Sequence, residues 1–453
     1  MYGQEPLQLR SVAKRCRDTR SVFSVDRFLR SHSIDENSMN VPGTSSIGLS
    51  LVIFTLVASG AAAGFTQSTG GTEQSLESSI VEVNGTSNYG HVSEENLERV
   101  VLLQSGVDVT AATQIDTDRI GTRLITASFS SEYGDSHTVS ERTAAVRTAI
   151  QMLERRMEQV NEYQADALSQ YNRGEITPRQ YVAVLAQSDA AMREIDSAAA
   201  SIEEADDSTL EYEIQPGLAE RLERLDSKAS PISGPMRRDQ FRAAIVGFDP
   251  PSPIYLETSD KIAVFAMIDD GRYVRSAFDS TGIDVDSRPQ LQMTDAINLI
   301  AKHYPWTLDT SNREQAAKFN TLSGGNVFSA QVPHAHGELN TYVDATTGEI
   351  FKEHQVTYLP EIPVTHSYTN YSTAYALTVN ATHDTGPIEV SLVRRTTGDG
   401  ANASVEIDGT TVGSTGSDGR LWTLDTRGPT TVRVTAADGA TFTVEVDPED
   451  LSG

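Results

Sequence analysis

VRTAIQMLERRMEQVNEYQADALSQYNRGEITPRQYVAVLAQSDAAMREIDSAAASI, residues 146–202, is the most regular stretch of this sequence. Its apolar and small residues recur at alternating intervals of four and three, which places them on one face of a helix. The first series is Val146, Ile150, Leu153, Met157, Val160, Gln164, Ala167 and Tyr171. The second series is Tyr181, Leu185, Ser188, Met192, Ile195, Ala199 and Ile202. The stretch therefore predicts two long amphipathic helices.

A helix stop and a helix start separate the two series. Gly174 is a residue type that ends helices in the left-handed conformation. Thr177, Pro178 and Gln180 then match an N-cap, a first helical residue and the glutamine of a capping box. Two matched faces joined by so short a loop predict a long antiparallel helical hairpin. The hairpin could be a spacer or an oligomerisation surface, or it could pack on its own domain.

After five prolines between residues 231 and 253, the pattern changes from helical to alternating. Lys261–Phe278 predicts a β-hairpin, and its turn explains Asp269 and Asp270 better than a paired acid–base role does. Met293–Tyr304 predicts a helix capped by Thr294. The predicted strands that follow are Asn326–Val332, Glu338–Asp344 and Glu349–Tyr358.

The segments before the helical hairpin and after the last of these strands carry weaker patterns. Residues 66–97 are rich in Ser, Thr, Gly, Gln and Glu, and they predict a flexible stalk. Between Leu97 and Phe129, the runs VVLLQ and TRLITASF predict a small strand pair or a segment packed against the helices. Beyond Tyr375, short Thr- and Val-rich runs alternate with Asp-Gly turns at the spacing of a small β-sandwich.

Two parts of the chain resemble known families. Tyr342–Ile350 (YVDATTGEI), within residues 290–358, resembles the hairpin of PepSY-type modules, which implies a binding or regulatory role outside the cell, sometimes linked with peptidases. Ala403–Gly409, Gly416–Arg420 and Thr431–Gly439 resemble the carboxypeptidase-regulatory-like and PEGA-type modules of surface proteins, which are structural. The whole layout resembles uncharacterised exported multidomain proteins of haloarchaea.

The predicted fold class is α+β multidomain, with a long antiparallel helical hairpin, a PepSY-like helix-plus-antiparallel-sheet unit and a C-terminal small β-sandwich. The predicted parts are a disordered leader or start-site extension at 1–38, a signal peptide or membrane anchor at 39–65, a flexible stalk at 66–97, a helical-hairpin domain at 98–230, the PepSY-like domain at 240–360 and the sandwich at 375–453. Met1 and Met39 both remain candidate starts.

The run Ile47–Phe65 (IGLSLVIFTLVASGAAAGF) predicts export, because it is apolar, uncharged and rich in small residues at its end. It could be cleaved near Ala61–Ala63 or kept as a membrane anchor. No Lys or Arg occurs between Arg30 and Arg99, so the basic residues before the run favour a cytoplasmic N-terminus and an extracellular bulk. The protein is therefore expected to be secreted or membrane-anchored, with membrane contact only through residues 47–65.

The single cysteine, Cys16, precedes that run, so the exported part has no disulfide, no thiol nucleophile and no lipid-bearing cysteine. Four Asn-x-Ser/Thr tripeptides are candidate glycosylation sites in an exported protein. They are Asn84, Asn370, Asn380 and Asn402.

The charge of the chain excludes some partners. The first 38 residues hold 7 basic and 5 acidic residues, which leaves 29 basic and 58 acidic residues, a net −29, from Met39 onward. Such a surface repels nucleic acid and anionic lipid. Only six of the 36 basic residues are lysines, and many carboxylates with few lysines favour a protein that works in concentrated salt. An ordinary acidic extracellular protein is the alternative.

No catalytic motif, phosphate-binding loop or cofactor motif occurs in the sequence, and no catalytic, cofactor or metal residue is assigned. His334 and His336, with His354, form the best metal candidate, since the first two would share one face of a strand. The preferred interpretation involves no metal: His334 and His336 are two exposed histidines at the start of a strand. The Asp-Gly turns of the tail lack the ligand spacing of a calcium loop.

The expected function is non-enzymatic: a cell-surface or secreted protein that acts by binding or by shaping the envelope, with envelope proteins as partners. The alternative is a regulator or inhibitor of an extracellular peptidase through the PepSY-like unit. An enzyme would need a site without a familiar motif, with His334 and His336 as its first candidates. The oligomeric state stays open.

Overall fold

The computed structural model describes residues 75–104, 106, 108–207, 212–229, 253–279, 289–313, 315–322 and 325–447. All of them belong to one unit, Gly70–Gly453, and the other unit, Met1–Thr69, lies outside the described residues. The predicted leader, the apolar run 47–65 and residues 66–74 of the predicted stalk therefore lie outside the described residues. Within the described ranges, no helix is both long and apolar enough to cross a membrane.

The helices precede most of the strands in the chain. The described helices are α1 (Val109–Gly134), α2 (Val139–Asn172), α3 (Pro178–Asp207), α4 (Pro216–Ala229), α5 (Met293–His303) and α6 (Pro305–Leu308). The described strands are β1 (Ile80–Val81), β2 (Tyr89–Gly90), β3 (Arg99–Gln104), β4 (Pro253–Thr258), β5 (Ile262–Asp269), β6 (Arg272–Asp279), β7 (Lys318–Leu322), β8 (Val327–His334), β9 (Gly337–Asp344), β10 (Ile350–Tyr358), β11 (His366–Tyr371), β12 (Tyr375–Ala381), β13 (Pro387–Arg394), β14 (Ala403–Ile407), β15 (Thr410–Ser414), β16 (Arg420–Leu424), β17 (Thr430–Ala436) and β18 (Thr441–Val446).

The helical hairpin is formed by α2 and α3, and every residue of both predicted series is buried. Gly174 has φ +76°, the left-handed conformation expected of a helix stop. The capping box is also confirmed, because the backbone N–H of Thr177 donates to Gln180 Oε1 at 2.8 Å and that of Gln180 donates to Thr177 Oγ1 at 3.3 Å. Helices α1 and α4 complete the layer by packing on the hairpin.

The eight-stranded antiparallel sheet has the order β3-β4-β5-β6-β10-β9-β8-β7. Its central strands are buried on both faces, as in β5, where alternate residues enter different cores. Phe265 and Met267 pack with Leu185 of the hairpin, whereas Val264 packs with Tyr304, which follows α5. The predicted hairpin turn is confirmed, since Asp270 and Gly271 have φ of 47° and 73°, the left-handed pair of a tight hairpin turn.

The tail is a β-sandwich of two four-stranded antiparallel sheets, β11-β12-β13-β16 and β15-β14-β17-β18. Alternate residues of both sheets fill one apolar core, as the alternating sequence predicts. The sandwich begins at His366, whereas the sequence placed its start near residue 375. The strand His366–Tyr371 was missed because its inward face, which is only half-buried, consists of His366, Tyr368 and Asn370 and has no aliphatic residue.

The structure decides between the two alternatives for Leu97–Phe129. TRLITASF lies in helix α1 and packs on the helical hairpin through Phe129, so packing against the helices is confirmed for this run and a strand is not. VVLLQ is a strand, but it pairs with β4 and not with TRLITASF. Helix α5 begins after Gln292, whose backbone N–H donates to Asp295 Oδ2 at 3.1 Å, so Thr294 is not its cap.

The described part of the predicted flexible stalk, residues 75–97, is ordered structure. It contains β1, β2 and two short 3₁₀ helices, and it buries Leu76, Tyr89 and Val92. The prediction failed because composition describes the average of a segment, whereas these three apolar side chains are sufficient to anchor it on the sheet.

We predict that Leu185→Ala lowers the free energy of unfolding by about 2–5 kcal/mol, because it leaves a cavity where the hairpin meets the sheet. Denaturant titration measures the change. Leu124→Ala is the matched control, since Leu124 is 62% exposed and its truncation should change stability by less than about 0.5 kcal/mol. Equal effects of the two variants would contradict the assigned core.

Candidate functional site

The second face of the sheet carries charged residues inside its central strands. Glu257 on β4, Arg275 on β6 and Glu353 on β10 are each no more than 1% exposed. Strand register places two rows side by side across these strands. One row is Glu257, Val264, Ala277 and Glu353. The next row is Tyr255, Ala266, Arg275 and Gln355.

Arg275 lies at the centre of this cluster, and its guanidinium group is held from several sides. Nε and Nη2 donate to the carbonyl oxygen of Gly90 at 3.2 and 3.1 Å, and Nη2 also approaches Glu257 Oε1 at 3.4 Å. Nη1 donates to the Tyr273 hydroxyl at 3.2 Å and to Thr385 Oγ1 at 3.4 Å. The ring of Tyr89 lies 4.8 Å from Cζ, at cation–π distance.

Glu257 accepts hydrogen bonds from three regions of the chain. The backbone N–H of Val92 donates to Oε1 at 3.0 Å, and the Tyr255 hydroxyl donates to Oε2 at 2.6 Å. Arg427, from the turn between β16 and β17 of the sandwich, donates to Oε2 at 3.3 Å and also to the carbonyl oxygen of Val92. A buried carboxylate is stable only when such donors replace water, and here they do.

Glu353 forms the other end of the cluster. Its Oε2 accepts from the Gly90 backbone N–H at 2.9 Å and from the Tyr304 hydroxyl at 2.6 Å, and its Oε1 accepts from Gln355 Nε2 at 2.8 Å. Burial raises the pKa of Glu353, and its hydrogen bonds oppose that shift. A Cβ atom at Gly90 would lie 2.8 Å from Leu76 Cδ1 and 3.1 Å from Ala277 Cβ, so a larger residue there would displace these two side chains.

The sandwich contacts the same cluster through the loop between β12 and β13. The Tyr89 hydroxyl donates to the carbonyl oxygen of Asp384 at 2.8 Å, and the Tyr89 ring stacks on His383 at 4.7 Å. Burial lowers the pKa of His383 to about 4, so this histidine is neutral near pH 7. Nearby, burial raises the pKa of Asp425 to about 7.

We call these residues the junction: Tyr89, Gly90, Val92, Tyr255, Glu257, Tyr273, Arg275, Tyr304, Glu353, Gln355, His383, Asp384, Thr385 and Arg427. The cavity beside it measures about 10 Å³, the volume of a single water. Its charges and hydroxyls are directed at one another rather than at an open cleft. The junction can therefore hold chain segments together, but it has no room for a substrate.

The structure corrects the interpretation of His334 and His336. His334 ends β8 and is buried, and His336 lies in the following turn, so they are not two exposed residues at the start of a strand. Trp306 stacks on His336 at 4.7 Å and meets His334 edge-on at 5.5 Å. Burial lowers both pKa values, that of His334 to about 4. This geometry is that of an aromatic cluster.

The structure does not bring His354 into that cluster as a third ligand. His354 lies opposite Asn340 in the sheet, three positions along β9 from Gly337, the partner of His334, and its Nδ1 is 2.6 Å from Ser276 Oγ. Across the described ranges, no three His, Cys, Asp or Glu side chains group as a metal site.

The four candidate glycosylation sites differ in their surroundings. Asn84 lies exposed in a turn beside Gly85, and Asn402 is exposed just before β14. By contrast, Asn370 Nδ2 donates to the Thr443 carbonyl at 3.0 Å, and Asn380 Nδ2 donates to Glu389 Oε2 at 3.0 Å. Because the amide nitrogen is the atom that would be glycosylated, these two contacts distinguish the strand sites from the loop sites.

Three family models match successive parts of the chain. Residues 44–249 match a domain of unknown function (DUF7096), residues 254–363 match a family of unknown function (DUF7094), and residues 367–443 match an archaeal fibronectin-III type-like domain. The junction joins all three matched regions. No curated protein and no solved structure matches the chain.

These matches refine the predicted organisation. A multidomain chain with archaeal features and a C-terminal β-sandwich is supported, and the sandwich is similar to a fibronectin-III type-like module rather than to the modules first proposed. The PepSY-like assignment is not confirmed. Strand β3, from the first matched region, pairs with β4 of the second, so the large sheet itself crosses a boundary between matches.

Sequence reasoning missed the junction, although a signal was present. Glu257 and Arg275 each follow an apolar residue in a strand that is mostly apolar or aromatic, whereas Glu353 lies between Lys352 and His354 and carries no such signal. A charge within a strand that is buried on both faces requires a partner of opposite charge or several hydrogen bonds. Which charges pair depends on strand order, and strand order is not visible in the sequence.

We predict that Arg275→Met lowers the free energy of unfolding by about 3–5 kcal/mol, because it leaves Glu257 buried without its central cation. Arg420→Met is the matched control: the Arg420 side chain is 64% exposed and pairs with Glu389, so its loss should cost less than about 1 kcal/mol. Denaturant titration of both variants gives the comparison. Similar small losses would show that the junction does not hold the fold together.

A second prediction concerns pH. The pKa of Asp425 is raised on folding from 3.8 to about 7, so the folded state favours its protonated form, and this stabilisation is lost as pH rises from about 4 through 7. Asp425→Asn cannot titrate. The free energy of unfolding of the wild type, minus that of Asp425→Asn, should therefore fall by on the order of 4 kcal/mol between pH 4 and 8. A difference between the two free energies that does not change with pH would contradict the raised pKa of Asp425. The pKa of His383 shifts in the opposite direction, but His383 is present in both proteins, so its contribution cancels in the difference.

Proposed function

We propose that this protein is a non-enzymatic, exported protein that acts at the cell surface or in the medium by binding or by shaping the envelope. The observation that carries the proposal is the junction, in which Glu257 is bound both by Val92 of the first matched region and by Arg427 of the third. These buried polar interactions thus connect three modules to one another. A fixed arrangement of modules suits a protein that presents surfaces at set distances.

The place of action rests on the sequence. The apolar run 47–65, the absence of cysteine beyond it and the excess of carboxylates support export into a salty medium. The archaeal fibronectin-III type-like match supports an archaeal origin. We propose that the N-terminus is cytoplasmic before any cleavage and that the rest of the chain lies outside the cell.

Expression in an archaeal host, followed by fractionation and mass spectrometry of the N-terminal peptide, tests the proposal. We expect the protein in the medium or the envelope fraction, with a new N-terminus near Ala63 if residues 47–65 are a signal peptide or an intact run if they are an anchor. Recovery in the cytosol with residues 47–65 intact would contradict export.

Peptide mass spectrometry on the same material tests a further expectation. We predict glycans on Asn84 and Asn402 but none on Asn370 and Asn380, because only the first two amides are exposed and outside strands. Asn84→Gln and Asn402→Gln should each remove one mass increment, and Asn380→Gln should remove none. Modification concentrated on Asn370 or Asn380 would contradict the described sandwich surface.

A regulator or inhibitor of an extracellular peptidase is the second candidate. It is favoured by β7 (Lys318–Leu322), the last strand of the large sheet, whose residues are exposed or half-buried. Such an edge can add an extended segment of a partner as a further strand. Addition of the purified chain to a secreted peptidase of the same host, with casein cleavage as readout, tests this: an unchanged rate removes the candidate.

A further inference from the structure

A polar groove lies on the helical layer, away from the junction. It consists of two adjoining cavities of about 330 and 440 Å³ between α1, α2 and α3, and both are lined by Gln114, Tyr163 and Gln187. Each of these two volumes is within the range of small-molecule sites, whereas the volume of the cavity beside the junction is far below that range. We call it the amide groove.

Side-chain amides dominate the wall of the amide groove. Gln114 and Gln187 line both cavities. Of the other three glutamines, Gln159 lines only the first cavity, and Gln170 and Gln180 line only the second. Each amide presents two N–H donors and one carbonyl acceptor, so the wall can both donate to and accept from a neutral hydroxyl. The charged residues of the lining are Arg156 in the first cavity and Asp108 in the second, one of each sign against five amides.

The amides are pre-oriented by their own hydrogen bonds. The Tyr163 hydroxyl donates to Gln187 Oε1 at 3.3 Å, and Gln187 Nε2 donates to Gln114 Oε1 at 2.7 Å. Gln187 is 4% exposed, so its position is fixed by the surrounding helices. Tyr163 is 48% exposed and presents an aromatic ring at the opening.

Ser188 supplies an independent indication of a ligand. Its side chain is 1% exposed and lines the groove, and its Oγ has no hydrogen-bond partner among the described residues. A buried hydroxyl without a partner costs free energy, which a ligand hydroxyl or a water would recover. The site therefore offers a donor and acceptor that the protein leaves unused.

We propose that the amide groove binds a chain of neutral sugars. Neutral sugars present dense hydroxyl groups, which match the amides and Ser188, and apolar ring faces, which match the half-exposed Tyr163. An extended peptide fits less well, because it is usually recognised by the free backbone groups of a sheet edge, and the backbone groups of helices are already paired. This inference names a ligand class for the binding role proposed above. It rests on that proposed function for the place where the protein acts, outside the cell.

Isothermal titration calorimetry of the full chain with hexasaccharides of glucose, mannose and N-acetylglucosamine tests the proposal. We expect at least one to bind, and Tyr163→Ala and Gln114→Ala each to weaken it about tenfold, because each removes one wall of the groove. Tyr358→Ala is the matched control, since Tyr358 is 52% exposed and lies outside the groove. It should leave the affinity unchanged.

Three outcomes would overturn the proposal. The first is no heat with any of the three hexasaccharides at concentrations up to about 10 mM. The second is hexasaccharide binding that Tyr163→Ala and Gln114→Ala leave unchanged. The third is binding of a neutral Ser/Thr-rich dodecapeptide instead of the hexasaccharides. Because the titration is made in solution, its failure is distinct from failure of export, which fractionation measures.

Discussion

The buried ion pair between Arg275 and Glu257 is the constraint on which the arrangement of this protein depends. Both groups lie on the face of a sheet from which water is excluded, so each must find its hydrogen bonds in the protein. Those bonds come from Gly90 and Val92 on one side and from Thr385 and Arg427 on the other. Satisfying two charges thereby fixes an N-terminal segment, a sheet and a sandwich to one another.

This arrangement explains why the family boundaries and the structural boundaries differ. The matches end near residues 249 and 363, yet β3 pairs across the first boundary and the junction crosses both. Modules linked only by flexible segments would keep their polar groups for solvent. Here the polar groups form the contacts between modules, and such a fixed arrangement is what the proposed presentation or binding role requires.

The two helices of the hairpin were predictable because their information is local. The spacing from Val146 to Ile202 and the capping box at Thr177 fix the hairpin without reference to the rest of the chain, and the turn at Asp270 is equally local. The junction and the amide groove were not predictable, because each combines residues far apart in sequence. Gly90 contacts Arg275 and Gln114 contacts Gln187 only once the fold has formed.

Hydrogen exchange at the backbone amides of Gly90 and Val92 tests the central claim most directly, because these two amides donate to the buried Glu353 and Glu257. If the junction fixes the segment to the sheet, both amides exchange as slowly as those of the buried strand β5, and Arg275→Met accelerates them more than it accelerates α2. Exchange of both amides at the rate of an exposed loop in the intact protein would contradict the account.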